Sequence, residues 1–459
     1  MITKGLFFFA LLYLCESFFT PSSLKKHGTP FTGYAGEPLI LTPLIRENKI
    51  REARVAATVN FEGFLGIKSF SGYLTVDEIY NSNLFFWFFP SQNDYENDPV
   101  LLWLQGGPGS PSMYAVFQEH GPFVFKDENT LGLAKETWTR NHSVIYIDSP
   151  AGTGWSYTTG GYAQNQTKVG RDLHEALQQF FTLFPELVKN EFFITGESYG
   201  GKYVPALAYT ILKQRGLAKV EINLKGLAIG NGMSDPEHQI KYANYAYQHG
   251  FVDSTVRDAM AALEERAVEH IRNEEYVEAS DLMNQDFGGE GSLFYDASGI
   301  SNVYNYLNAI DDGIGDAMMD KYFSRADVRE ALHVGSTTFG DENVYANLEY
   351  DIPKPITSWV AELLSHYRIL FYNGQLDIIV AYPMMVEYLQ ALNFSSAEEY
   401  KVANRYQWYV GDDLAGYVKY AGNLTEVLVR NAGHMVPADQ PVWASDLITK
   451  FTRNKVIHL

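Results

Sequence analysis

Gly196-Glu197-Ser198-Tyr199-Gly200 follows the apolar run Phe192-Phe193-Ile194-Thr195 and precedes a stretch with helical periodicity beginning near Lys202. A serine between glycines at a strand-to-helix turn is the arrangement of a nucleophile elbow. The glycines leave room for a sharp turn that lifts the hydroxyl clear of the backbone. The helix that follows aims its N-terminal amides at the site, which favours developing negative charge. A chain with 38 glycines can produce G-x-S-x-G by chance, and a polar turn capping a helix would read the same. The strand-elbow-helix context favours Ser198 as a nucleophile.

Its partners follow in the order Ser, acid, His. Arg368-Ile369-Leu370-Phe371-Tyr372 reads as a buried strand ending in Asn373-Gly374-Gln375-Leu376-Asp377. Glu426-Val427-Leu428-Val429-Arg430 reads as another, followed by Asn431-Ala432-Gly433-His434-Met435. Loops beyond the carboxyl ends of strands are where open α/β sheets place their sites. Alone, Asp377 suits a turn and His434 is one of 11 histidines; with Ser198 they form a constellation. An oxyanion site needs backbone donors. Tyr199 supplies one, and the loop Gln105-Gly106-Gly107-Pro108-Gly109, after the strand Val100-Leu101-Leu102-Trp103-Leu104, supplies the other at Gly107.

Trp103 to Gly109, Ile147-Asp148-Ser149-Pro150-Ala151-Gly152-Thr153-Gly154-Trp155-Ser156-Tyr157, Gly196 to Gly201 and Gly433-His434-Met435 together resemble the serine carboxypeptidase family. Ile229-Gly230-Asn231-Gly232-Met233-Ser234-Asp235-Pro236 is similar to a further stretch of it, and the likeness runs from about Ser71 to about Pro441. Gln105, where most members carry asparagine, points to the vitellogenic-like branch. The resemblance implies that the substrate's free α-carboxylate is bound without lysine or arginine, by Gln105, the Gly106 amide and Glu197. It also implies that Glu119 shares a proton with Glu197. Such a pair titrates as a unit with one apparent pKa raised, so activity on free C-termini should be best at acidic pH. On its local sequence alone Glu119 would be a solvated helix charge. Tyr199 and Met435 match positions lining the pocket for the residue before the scissile bond, which implies an apolar preference there.

Composition fits a large hydrolase. The 459-residue chain is 46% hydrophobic and 20% charged, with a net charge of −20 and a pI near 5.0. That acidity argues against nucleic acid and against anionic membrane surfaces. Lys4 followed by the apolar run Leu6 to Leu14 and Cys15-Glu16-Ser17 reads as a signal peptide over residues 1–17, too short for a membrane span. Asn141, Asn165, Asn393 and Asn423 each begin an N-x-S/T sequon, open to glycosylation on a secretory route. Secretion or a lysosomal destination is therefore expected. Cys15 is the single cysteine, so the mature chain lacks the disulfides of most relatives; Ser110 and Pro111 stand where the family motif has a cysteine and a serine. What this puts in question is the rigidity of the lid.

Strands near Phe85–Phe89, Val100–Leu104, Val144–Ile147 and Leu224–Ile229 alternate with helical patterns at Arg171–Phe184, Tyr203–Leu212 and Met384–Leu392. The expected fold class is α/β: an α/β-hydrolase with a mixed, mostly parallel central sheet and helices on both faces. Residues 18–236 and 351–459 form this core, and residues 237–350 are an inserted, mainly helical lid. Residues 18–65 show little beyond extended segments. No metal cluster, phosphate loop or dinucleotide fingerprint occurs in the sequence, so neither a metal nor a cofactor is expected, and homodimerisation is left open. The favoured function is a serine carboxypeptidase releasing C-terminal residues from peptides and proteins through an acyl-enzyme. An acyltransferase with the same triad and a non-catalytic protective or storage protein are the alternatives.

Overall fold

The structure is a computed structural model that describes residue 31 and residues 33–310, 312–340 and 343–459. Residues 1–17, expected to be a signal peptide, and with them Cys15, lie outside the described residues. Ten strands form one sheet in the order β1-β2-β6-β3-β7-β8-β9-β12-β11-β10. They are β1 (Phe70–Asp77), β2 (Ser82–Phe89), β3 (Val100–Leu104), β6 (Ser143–Ile147), β7 (Phe192–Glu197), β8 (Leu224–Gly230), β9 (Arg368–Gly374), β10 (Arg405–Val410), β11 (Asp413–Ala421) and β12 (Leu424–Val429). A small hairpin pairs β4 (Phe123–Phe125) with β5 (Leu131–Leu133).

The six central strands, β6 to β12 in sheet order, run parallel, and the pairs at either side are antiparallel. The central strands are covered on both faces, which is why they read as continuous apolar runs rather than alternating ones. Within β3 the side chains still divide by parity. Leu102 and Leu104 join one core with Leu173, Leu177 and Phe180 of the Gln166–Leu183 helix. Leu101 and Trp103 join the other with Leu447, Ile448 and Phe451 of the Pro441–Thr452 helix.

The helix after the elbow begins at Gly200 and ends at Gln214, two residues before the sequence periodicity places it. Of residues 18–65, 18–30 and 32 lie outside the described residues, and the rest depart from expectation more sharply: Thr42–Arg46 and Ile50–Ala57 are helical. These helices are too short for their spacing to stand out, and they are fixed by tertiary contacts such as Thr42 Oγ1 to Gln179 Oε1 at 2.7 Å.

Between β8 and β9 the regular structure among the described residues is helical. Tyr242–Gln248, Ser254–Arg272 and Tyr276–Asp286 pack together, and Ile314–Phe323 and Ala326–Ala331 follow. Met319, Tyr322, Phe323 and Val328 reach into the core of the sheet, so the latter part of the insertion is continuous with the main body.

Two acids are buried inside the helical insertion. Glu264 (6% exposed) accepts the Ala243 amide at 2.6 Å, and Asp286 (3% exposed) lines the same small cavity with one oxygen that has no partner among the described residues. Burial pushes Glu264 up to about 7, with Glu387 adding to the rise and Lys241 opposing it. Burial and then the Glu264 charge push Asp286 up as well. Both groups bind protons more tightly in the folded state than in the unfolded chain, so each contributes stability that is fully present at acidic pH and is lost as pH rises through its folded-state pKa, about 7 for Glu264. Thermal unfolding should therefore show a lower Tm at about pH 8 than at about pH 5, and Glu264→Gln should narrow that gap. A gap unchanged in the variant would contradict this.

Candidate active site

Ser198 sits at the carboxyl end of β7 with φ +60°, a left-handed conformation that non-glycine residues seldom adopt. Three backbone bonds hold it there: Ser198 N to Gly230 O (3.0 Å), Gly201 N to Ser198 O (2.8 Å) and Met233 N to Ser198 O (3.0 Å). The turn has no room for side chains. A Cβ on Gly106 would come within 2.6 Å of Ser198 Cβ and of the Tyr199 nitrogen, and one on Gly201 within 2.6 Å of the Met233 nitrogen. The loop 105–109 is thus pressed against the elbow, with Gly107 at φ +104°.

Asp377 and His434 stand in the loops after β9 and β12, adjacent strands of the same sheet. His434 Nδ1 is 2.9 Å from Asp377 Oδ2, and both residues are buried. Because the aspartate accepts at Nδ1, Nε2 carries the free lone pair of the neutral ring. Nε2 is buried and makes no hydrogen bond among the described residues, including none to the Ser198 hydroxyl. Catalytic hydrogen bonds often close only in the substrate complex.

The insertion supports both loops. Tyr245 Oη donates to Asp377 O at 3.0 Å and Tyr242 Oη to Ile379 O at 2.8 Å. The segment 303–306 straps them together: Ile378 N to Val303 O (3.1 Å), Tyr306 N to Leu376 O (3.1 Å) and His434 N to Tyr304 O (2.7 Å). The Tyr304 ring lies 5.4 Å from the imidazole.

Asn231 carries a task that the sequence reading did not assign. Its Nδ2 donates to Asp377 Oδ2 at 2.7 Å and its Oδ1 accepts the Gly374 amide at 3.1 Å. It sits at φ +42° at the end of β8, between the strands that carry Ser198 and Asp377. The signal was present in Gly230-Asn231-Gly232, since Asn is among the few residues that tolerate this backbone.

Beside the elbow two carboxyls are buried together. Gln105 Nε2 donates to Glu197 Oε1 at 2.8 Å, and Trp103 Nε1 orients the amide by donating to Gln105 Oε1 at 2.7 Å. The second oxygen of Glu197 and both oxygens of Glu119 have no donor in good hydrogen-bond geometry among the described residues, although Gln105 lies near enough to Glu119 to oppose the rise in its pKa, and the two carboxyls interact directly. Two acceptors in contact need a proton between them. Burial raises both pKa values, and the Glu119 charge raises Glu197 further. Glu119 is therefore no solvated helix charge: it caps the end of the Met113–Gln118 helix, turned inward.

Tyr199 is placed differently from a pocket wall. Its ring is fully buried against Tyr203, its hydroxyl is held by Asp351 and Gln166, and its amide nitrogen lies against Gly106. Met435 is half-buried next to His434. Asn165, Asn393 and Asn423 are exposed and Asn141 is half-buried. Asn165 caps the Gln166–Leu183 helix by accepting the Lys168 amide.

Asp235, Glu237 and His238 also gather. His238 Nδ1 lies 2.5 Å from Asp235 Oδ2, and Arg272 Nε donates to Glu237 Oε1 at 2.7 Å. Among the described residues no helix is long and apolar enough to cross a membrane.

Residues 59–454 match the family model described as serine carboxypeptidase. The venom serine carboxypeptidase of Apis mellifera is 50% identical, with 92% of each chain covered. The vitellogenic carboxypeptidase of Aedes aegypti is 44% identical over 93% of this chain and 92% of its own, in line with the branch suggested by Gln105. Among solved structures, a prohormone-processing carboxypeptidase from Saccharomyces cerevisiae superposes with a TM-score of 0.75 at 25% identity, covering 87% of this chain and 96% of that one.

A hydrogen bond to a charged group contributes about 1.5–3 kcal/mol. Removing the Asn231 amide from Asp377 should therefore lower kcat about tenfold to hundredfold. Asn231→Gly keeps the left-handed backbone and deletes only the side chain. Peptide hydrolysis by this variant at parental kcat would show that Asp377 needs no such tie.

Proposed function

We propose, starting from the fact that this chain belongs to the serine carboxypeptidase family and is a serine-type carboxypeptidase acting on peptide substrates, that Ser198, Asp377 and His434 are its catalytic triad. His434 Nε2 takes the hydroxyl proton as Ser198 attacks the carbonyl of the last peptide bond. The Gly107 and Tyr199 amides receive the developing oxyanion, and Asp377 stabilises the imidazolium that forms. The proton then passes to the leaving amino acid, and water releases the acyl group by the same steps in reverse.

The observation that carries the exopeptidase assignment is the cation-free pair of Glu119 and Glu197 beside the elbow. An arginine would bind any carboxylate over a wide pH range. A protonated carboxyl held by Gln105 instead donates a hydrogen bond to the substrate's C-terminal carboxylate, together with the Gly106 amide. Binding of this kind requires the pair to keep its proton. Both pKa values are raised, so the binding form is complete at acidic pH and is lost as pH rises through the pair's titration. Activity best at acidic pH follows, and it suits a secretory-pathway enzyme working in a lysosome or an acidic extracellular fluid.

Residues 237–350 are proposed to act as the lid over this cleft. Met435 is assigned to the pocket for the residue before the scissile bond, with an apolar preference, since the Tyr199 ring is committed to Asp351.

Paired digestion of one peptide with a free and an amidated C-terminus tests the assignment. The free form should be cleaved at acidic pH with a rate that fades toward neutrality, and the amide should react slowly with a flatter profile. Glu197→Gln, whose amide donates at every pH, should lose most of the pH dependence. Equal rates on both peptides, or a parental pH profile in the variant, would defeat this account of carboxylate binding.

A further inference from the structure

Lys202 lies four residues past Ser198, in the first turn of the Gly200–Gln214 helix, and has no exposed surface. Its ammonium donates to three backbone carbonyls, those of Asp351 (2.5 Å), Ile352 (2.9 Å) and Lys354 (2.6 Å). An ammonium has three protons, and here each has one acceptor. The carbonyls belong to the turn Glu349–Asp351 and the residues just after it, by which the insertion returns to the core. Burying a lysine is costly unless it is fully paired, so this position is a poor choice for filling space alone.

The same turn grips the residue beside the nucleophile. Asp351 Oδ2 accepts from Tyr199 Oη at 2.9 Å and from Gln166 Nε2 at 2.6 Å, and Gln166 also reaches the Tyr199 hydroxyl at 3.1 Å. A further tie runs through Ser234, whose hydroxyl donates to Gly201 O at 2.8 Å and whose carbonyl accepts Ile356 N at 3.0 Å. The elbow and the returning segment are thus cross-linked on both sides of the Tyr199 amide.

From this geometry we infer that Lys202 and Asp351 are positioning residues, which lock the returning turn of the insertion to the elbow helix and so fix the Tyr199 amide where the oxyanion forms. This rests on the reading of Ser198 as nucleophile and Tyr199 as oxyanion donor. It gives the insertion a task besides covering the cleft: the core cannot hold its oxyanion site in register unless the segment 349–354 is docked. Neither residue touches the substrate, so their loss acts on the transition state rather than on binding.

The test is a set of variants read as kcat, KM and Tm on a free C-terminal peptide, with Ser198→Ala as the zero. Tyr199→Phe keeps the ring and deletes only the hydroxyl that Asp351 holds; Lys202→Met and Asp351→Asn break the clamp from the other side. Each should lower kcat at least about tenfold, as loss of oxyanion stabilisation does, with KM within about twofold. Residues acting through one device show non-additive losses, so the double variant Tyr199→Phe/Asp351→Asn should lose no more than the worse single. Should Lys202→Met fail to fold, that double cycle decides alone. Parental kcat in the folded variants, losses that multiply, or an effect confined to KM would overturn the inference. A parent with no more turnover than Ser198→Ala would remove the Ser198 reading, and this inference with it.

Discussion

Ser198, the proposed nucleophile, is held on a backbone conformation that a serine does not choose for itself. A non-glycine residue at positive φ costs on the order of 1–3 kcal/mol, and it persists only where its surroundings leave no alternative. Here β8 supplies the acceptor for the Ser198 amide, the stretch after it supplies a donor to the Ser198 carbonyl, and Gly106 and Gly201 close on the turn from either side. These contacts need parallel strands ending at one edge, with loops short enough to touch. The buried apolar strands are the means of bringing those loop ends together.

Charge is handled with equal economy. The cleft buries Glu119, Glu197 and Asp377, and among the described residues no arginine or lysine forms an ion pair with any of them. Asp377 is instead satisfied by neutral donors: the Asn231 amide and the amides of Ile379 and Val380, alongside the His434 ring. Glu197 accepts from Gln105, and the two glutamates are proposed to share a proton. A site built this way offers hydrogen bonds whose number depends on pH, whereas fixed cations would offer the same attraction throughout. The insertion follows the same pattern, with Glu264 and Asp286 buried and held toward their protonated forms.

Much of the site was legible because its members sit in strand-end loops with distinctive local chemistry. Ser198 was marked by its glycines, and Asp377 and His434 by turns that close apolar runs. Glu119 was not legible in this sense: next to Gln118 and His120 it reads as the end of a surface helix, and only the family resemblance turned it inward. Asn231, Lys202 and Asp351 were missed because their tasks lie in contacts across 143 to 152 residues of chain, and periodicity carries no information at that range. The short helices at Thr42–Arg46 and Ile50–Ala57 were missed for a related reason, since packing rather than propensity holds them. The Tyr199 ring was expected in a pocket, but its hydroxyl finds Asp351 instead.

One measurement addresses the central claim directly: mass-spectrometric mapping of the adduct formed by a fluorophosphonate, which reacts with an activated serine hydroxyl. The account predicts a single adduct on Ser198, formed slowly or not at all once His434 is replaced by alanine. An adduct on another serine, or undiminished labelling without the imidazole, would contradict it.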